Sequence, residues 1–178
     1  MKLVKSIKYL NKILDRYRSD GFKIHLTPTM GALHGGHLKL VKESKKLKSI
    51  VVVSIFVNPT QFGPKEDYKN YPRTLKNDLK VLKKYGADIV FTPIQKQILS
   101  HKTKYNCPQF AIEKRLCGKS RPKYFPGVKN IVLKLFDIVQ PDAAFFGEKD
   151  YQQYLVIKKM TESLKLNTRI ICVKTVRD

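Results

Sequence analysis

Apolar residues at Leu3, Ile7, Leu10 and Leu14 recur at three- and four-residue spacing, so residues 3–18 are expected to form an amphipathic helix. Ser19-Asp20-Gly21 stops it, and Phe22 to Leu26 reads as a short strand followed by the turn-rich Pro28-Thr29-Met30-Gly31. Helical spacing returns from His37 through Leu47. Ile50 to Val57 is an almost unbroken β-branched run, the pattern of a strand buried on both faces. Thr74 to Tyr85 reads as a helix closed by Gly86, and Ala87 to Thr92 as a strand. The second half continues with a helix near Gly127–Phe136, a strand at Ala143–Phe146, a helix at Tyr151–Leu164 and a strand at Thr168–Val173. Residues 94–120 hold no steady period. The alternation begins α-β-α-β and predicts an α/β fold, a doubly wound parallel sheet covered by helices, in one domain over residues 1–178.

Charge complicates this picture only briefly. The formal net charge is +22, and clustered cations gain affinity for nucleic acid by releasing phosphate counterions. Of 36 basic residues, however, 29 are lysine and 7 arginine, whereas base readout leans on bidentate arginine. The lysines are also dispersed, many along predicted helices, as at Lys39, Lys42, Lys45, Lys46 and Lys48. A solvated lysine surface is expected, not a specific nucleic-acid site. No apolar run nears the roughly 20 residues that span a bilayer, and Met1 to Lys5 carries no apolar leader core. Cys107, Cys117 and Cys172 show no CxxC spacing and read as free thiols of a reducing cytoplasm.

The unusual residues gather just after predicted strands, where doubly wound folds bind ligands. After the first strand, Thr27 to His37 reads TPTMGALHGGH, with two histidines three apart around two glycines at a helix entry. Glycines let backbone amides approach a phosphate, the helix N-terminus adds partial positive charge, and imidazoles donate to phosphoryl oxygens. A glycine-rich turn with incidental histidines and a metal pair are the alternatives; no cysteine or carboxylate accompanies the histidines. After the next strand, Asn58 and Gln61 are neutral amides on a turn set by Pro59, suited to orienting a carboxylate or hydroxyls, although Asn-Pro also initiates turns. A third cluster, Gly147-Glu148-Lys149-Asp150, offers close backbone approach, a phosphate partner and an acceptor for ribose hydroxyls; a surface turn is the alternative.

His34-Gly35-Gly36-His37 is the HxGH element of the adenylyl-transferring α/β superfamily that includes class I aminoacyl-tRNA synthetases. The longer string PTMGALHGGHLKLV resembles the pantothenate synthetase family. SIFVNPTQF, YPRT and FGEKDYQQ resemble further elements of that family. The resemblance implies a Rossmann-like domain that binds ATP through Met30, Gly31, Ala32, Leu33, His34, Gly35, Gly36, His37, Gly147, Glu148, Lys149 and Asp150. Val176 would touch adenine through its backbone. It implies pantoate held by Gln61 and Gln153, β-alanine by Gln61, and a pocket shared with Asn58, Tyr71 and Arg121. His34, His37 and Lys149 would stabilise phosphate charge, with His37 as proton donor. One segment departs from the pattern. Where the family commonly reads SRPGHFRGV, Ser120 to Val128 has Tyr124 for the usual histidine and Pro126 for a frequent arginine. A tyrosine hydroxyl donates a hydrogen bond but carries no positive charge at neutral pH.

The implied reaction joins pantoate to β-alanine through a pantoyl adenylate, with Mg2+ accompanying ATP, no metal site of the protein's own and no protein nucleophile. A homodimer is expected by family likeness. The family's small C-terminal lid domain is not represented, so the 178 residues are expected to fold and bind nucleotide weakly but to turn over poorly. Two other readings stay open, a different HxGH nucleotidyltransferase and a basic nucleic-acid-binding α/β module.

Overall fold

The computed structural model describes residues 1–45, 49–64 and 66–175. Six parallel strands form one sheet in these residues: β1 (Lys2–Val4), β2 (Lys23–Thr29), β3 (Ser49–Ile55), β4 (Ile89–Phe91), β5 (Ala143–Gly147) and β6 (Arg169–Val173). Their order is β1-β4-β3-β2-β5-β6. Helices α1 (Ile7–Ser19), α6 (Tyr124–Val139) and α7 (Tyr151–Ser163) cover one face, while α2 (Gly35–Lys45) and α3 (Leu75–Lys84) cover the other. The expected α/β architecture is present.

The period-two geometry of a strand explains how β3 faces both layers. Ile50 and Val52 enter the core under α1 and α6, while Val51 and Val53 enter the core under α2 and α3. Sequence and structure differ at the start of the chain. Leu3 belongs to β1, an edge strand paired through Leu3↔Val90, and α1 begins only at Ile7, after Ser6 accepts a hydrogen bond from the Tyr9 amide. The helical spacing of Leu3 with Ile7 is accidental, because only β4, some eighty residues away, makes a strand there worthwhile. β2 likewise runs past the predicted turn, through Pro28 to Thr29. The helix read from His37 to Leu47 runs from Gly35 to Lys45, and residues 46–48 lie outside the described residues.

The aperiodic stretch 94–120 is folded by specific polar contacts. It contains α4 (Gln95–Ser100), a 3-10 turn at Ala111–Lys114 and α5 (Cys117–Ser120). Lys129 of α6, 2% exposed, extends its ammonium to Glu113 Oε1 at 2.6 Å and to the Pro108 carbonyl. The Phe110 amide donates to the same Glu113 oxygen at 2.8 Å. A buried lysine is tolerated only when paired and hydrogen-bonded in this way.

At the amino ends of the strands two aspartates close the sheet. Asp88 Oδ2 accepts the Val51 amide at 2.8 Å and Lys45 Nζ at 2.6 Å. Asp142 Oδ2 accepts the Ile24 amide at 2.8 Å, and its Oδ1 accepts Lys23 Nζ at 3.0 Å. No helix among the described residues is long and apolar enough to cross a membrane.

Candidate functional site

The winding direction changes between β2 and β5: β3 and β4 lie to one side of β2, and β6 lies beyond β5. Pairing between β2 and β5 covers His25↔Ala143 and Leu26↔Ala144, after which the strands part. A cavity of about 150 Å³ opens beyond them. Its polar wall is His37, Gln61, Tyr124, Asp150 and Gln153; Val128, Ile131 and Leu135 of α6, Phe146 of β5, Phe56 just after β3 and Met30 form the apolar wall.

The loop after β2 is held before any ligand arrives. Thr29 Oγ1 donates to the Ser54 carbonyl at 2.8 Å and accepts the Gly31 amide at 3.3 Å. Gly31 has φ +82°, and a Cβ there would lie 3.1 Å from Ile55 and 3.2 Å from Asp78 Oδ2, so only glycine fits. Asp78 of α3, buried at 2% exposure, grips the next residues. It accepts the Ala32 amide at 3.2 Å, the Leu33 amide at 3.0 Å and the Thr74 hydroxyl at 3.2 Å. Sequence reasoning missed Asp78. The available signal was a carboxylate four residues before Leu82, on the stripe that α3 buries.

The two histidines pack together, ring centroids 4.1 Å apart. The Gly36 amide donates to His34 Nδ1 at 3.2 Å, and the His34 amide donates to His37 Nδ1 at 3.4 Å. With Nδ1 accepting, each neutral ring carries its proton on Nε2, leaving that N–H as the free donor. Burial, then the neighbouring His34 and, more weakly, Lys149, push the His37 pKa from 6.5 down to about 4, against an opposing pull from Asp78. At neutral pH His37 is therefore an uncharged hydrogen-bond donor. Lys149 is a cation within electrostatic reach of it.

The loop after β5 is more open. Lys149 and Asp150 are exposed, and Glu148 Oε2 accepts the Thr175 amide at 3.2 Å. A Cβ on Gly147 would meet nothing within 4 Å, and its φ is −79°, so the fold does not itself demand glycine here. The space over its backbone is open. Val176 lies outside the described residues.

Among the expected acid-pocket residues, Gln61 and Gln153 face the cavity and three others stand behind or beside it. Asn58, 1% exposed, uses its amide nitrogen on Gln61 Oε1 and the Gly127 carbonyl, both at 3.1 Å. Its oxygen accepts the Thr60 amide and hydroxyl at 3.3 and 2.9 Å. Every hydrogen-bonding atom of the Asn58 side chain is thus occupied within the protein, and it braces Gln61. A Cβ at Gly127 would lie 2.5 Å from the Thr60 carbonyl oxygen, which explains how α6 comes so close to this turn. Tyr71 packs edge-on against Phe62, centroids 5.8 Å apart, outside the cavity. Arg121 pairs with Glu66, lies 3.9 Å over the Tyr124 ring and lines a neighbouring cavity of about 370 Å³. Tyr124, the departure from the family pattern, donates its hydroxyl to Gln153 Oε1 at 3.0 Å.

The family model described as pantoate-beta-alanine ligase matches residues 2–178. The chain belongs to this family. The pantothenate synthetase of Acetivibrio thermocellus is 48% identical over 180 residues, covering all of this chain and 63% of that protein. The Acinetobacter baylyi pantothenate synthetase is 50% identical over 179 residues, covering all of this chain and 64% of that protein. The chain thus spans less than two thirds of the length of these curated ligases. The crystal structure of the Thermus thermophilus pantothenate synthetase superposes with a TM-score of 0.91 at 38% identity, over all of this chain and 63% of that one. The Francisella tularensis ligase, whose crystal structure is described as complexed with beta-gamma ATP and beta-alanine, gives 0.92 at 40% identity, over all of this chain and 68% of that one.

Proposed function

We propose that this chain supplies the nucleotide- and pantoate-binding domain for the ATP-dependent condensation of pantoate with β-alanine. The observation that carries the reading is the shared wall between two unlike places. The cradle of Gly31 to His37 and Gly147 to Asp150 suits nucleotide phosphates, and it opens on a small, half-apolar cavity with two carboxamides. Pockets for drug-sized ligands usually measure about 300–1,000 Å³. At about 150 Å³ this one fits a short branched hydroxy acid and not a second nucleotide.

In the reaction so proposed, a pantoate carboxylate oxygen attacks the α-phosphorus of ATP and pyrophosphate leaves. The β-alanine amine then attacks the acyl carbon, and AMP departs with the bonding electron pair. His34 and His37 donate Nε2–H to phosphate oxygens and Lys149 supplies the cation, on a loop that Asp78 anchors through the Ala32 and Leu33 amides. Asp150 accepts from ribose, and Glu148 holds the nearby strand end. Mg2+ would travel on the nucleotide's phosphates. Gln61 and Gln153 orient pantoate, Gln61 also meets β-alanine, and Arg121 and Tyr71 act from the rim. Catalysis in this scheme is alignment and charge stabilisation. A homodimer and a cytoplasmic setting complete the reading; the three free cysteines suit the latter.

The test is pyrophosphate release from Mg-ATP, followed on this chain alone and on this chain joined to the C-terminal segment of a relative. Release should depend on pantoate, and β-alanine should then yield AMP and pantothenate, with the chain alone much the slower. Release independent of pantoate, or driven instead by a mononucleotide acceptor, would replace this function with that of another nucleotidyltransferase.

A further inference from the structure

Both carboxamides in the cavity are held by their oxygens. Gln61 Oε1 accepts from Asn58 at 3.1 Å, and its Nε2 lies 3.1 Å from Met30 Sδ at the cavity wall. Gln153 Oε1 accepts from the Tyr124 hydroxyl at 3.0 Å. An amide anchored through oxygen keeps its N–H groups to offer: Gln61 has one left after donating to Met30 Sδ, and Gln153 has two. The cavity therefore presents the two carboxamide nitrogens as neutral donors, and this pair matches a ligand rich in acceptors.

Tyr124 is itself held from behind. The Arg121 guanidinium lies 3.9 Å from its ring centroid and pairs with Glu66, whose carboxyl this contact holds below the usual range. Glu66 in turn accepts the Gly63 amide at 2.7 Å. The cation over the ring strengthens the phenol as a donor. Burial pushes the Tyr124 pKa up from 10, so the hydroxyl keeps its proton across the physiological range. Tyr124 also lines both the 150 Å³ cavity and the 370 Å³ cavity beside it, and so forms the partition between them.

We infer that Tyr124 is a positioning residue that fixes the Gln153 carboxamide with its nitrogen toward the cavity, and that Arg121 and Glu66 hold Tyr124 in that role. The inference rests on the pantoate reading for its ligand but not for its geometry. The hydroxyl replaces the imidazole that the family resemblance places here, and does so as a neutral donor.

Tyr124→Phe keeps the ring and its stack on Arg121 while removing the donor. Calorimetric titration of the full chain should show pantoate affinity falling about tenfold, the ratio that 1.4 kcal/mol sets, with ATP affinity within twofold. Tyr124→His should recover most of the loss. In the Gln153→Ala background Tyr124→Phe should cost nothing further, because the hydroxyl acts only through that amide. Equal losses in both backgrounds would overturn the inference. The ligand-free protein gives a second reading through the side-chain amide resonances of Gln153, which should shift and exchange faster with water in Tyr124→Phe. Unchanged amide resonances would overturn the positioning role even with pantoate bound. If wild-type chain binds no pantoate yet the amide responds, the function proposed above fails and the positioning role stands.

Discussion

The two ends of the sheet are built from the same strands and treat polar groups in opposite ways. At the amino end, each aspartate ahead of a strand closes its neighbour: Asp88 accepts the Val51 amide and returns its own amide to the Val51 carbonyl at 3.0 Å. Asp142 does the same with Ile24, its amide reaching the Ile24 carbonyl at 2.8 Å. At the carboxyl end the strands part, and the buried hydroxyls of Thr27, Ser54 and Thr92 have no partner among the described residues. A Cβ on Gly35 or Gly147 would touch nothing there. Carboxylates that satisfy amides make the first end a seal. At the second, the buried carboxylate of Asp78 fixes the loop from below and leaves the histidine donors facing outward. Parallel sheets make this division natural, since ligands collect beyond the carboxyl ends of their strands.

The sharpest way to break the contrast is at His37. His37→Ala should lower adenylate formation about 10²–10³-fold, roughly 3–4 kcal/mol, measured on the chain joined to a relative's C-terminal segment. Its melting temperature should move by little, because the hydrogen bond its ring accepts is long, at 3.4 Å. An unfolded variant, or one with full rate, would remove the assignment.

Asp142→Ala should do the reverse. It strands the buried Ile24 amide at a cost of about 2 kcal/mol, lowering the melting temperature by roughly 5 °C, while ATP affinity stays within twofold. A matching loss of ATP affinity would show that the two ends are not independent. Acid sharpens the same comparison. Burial alone would raise the Asp142 pKa, but the Ile24 amide and the Lys23 ammonium outweigh it and hold the carboxyl below its usual 3.8. Its contribution is complete above that value and disappears as pH falls through the lowered one.

His37 titrates earlier, over a different window. Between pH 6.5 and about 4 the unfolded chain takes up a proton on this histidine that the folded chain refuses, so stability falls as pH drops across that range. His37→Gln should flatten that slope in denaturant titrations. A His37 midpoint near 6.5 by NMR would contradict the neutral-donor role. The smallest effect expected is on nucleic acid. Dispersed lysines should bind oligonucleotides weakly and without sequence preference, and lose them between about 50 and 200 mM salt. Selective, submicromolar binding at ~150 mM salt would instead make the charge functional.

Much of this was legible along the chain because it is local. The β-branched run of β3, the α3 helix with Gly86 at its end and the glycine-histidine entry to α2 are encoded within a few residues each. The order of alternation was enough to place the HGGH and GEKD segments beyond strand ends. The family resemblance picked out Gln61 and Gln153 because those residues sit in unbroken motifs. By contrast, no window of sequence reveals that Leu3 is a strand residue, since its reason is β4. Nor does any window show that Asn58 spends all its side-chain hydrogen bonds on Gln61, Gly127 and Thr60.

The sequence by itself determined the alternation of strands and helices, the two-faced burial of β3 and the residues able to meet phosphate, because periodicity and residue chemistry act over short distances. Only the tertiary structure decided which of those residues face a common cavity and in what state. Burial beside His34 lowers the His37 pKa from 6.5 to about 4. The Asp78 carboxylate, forty-six residues beyond Ala32, fixes the loop that carries both histidines. The Tyr124 hydroxyl meets Gln153 twenty-nine residues away, and which end of that amide faces the cavity follows from their contact. Desolvation and hydrogen-bond direction depend on everything that surrounds a group, and the chain assembles those surroundings only by folding.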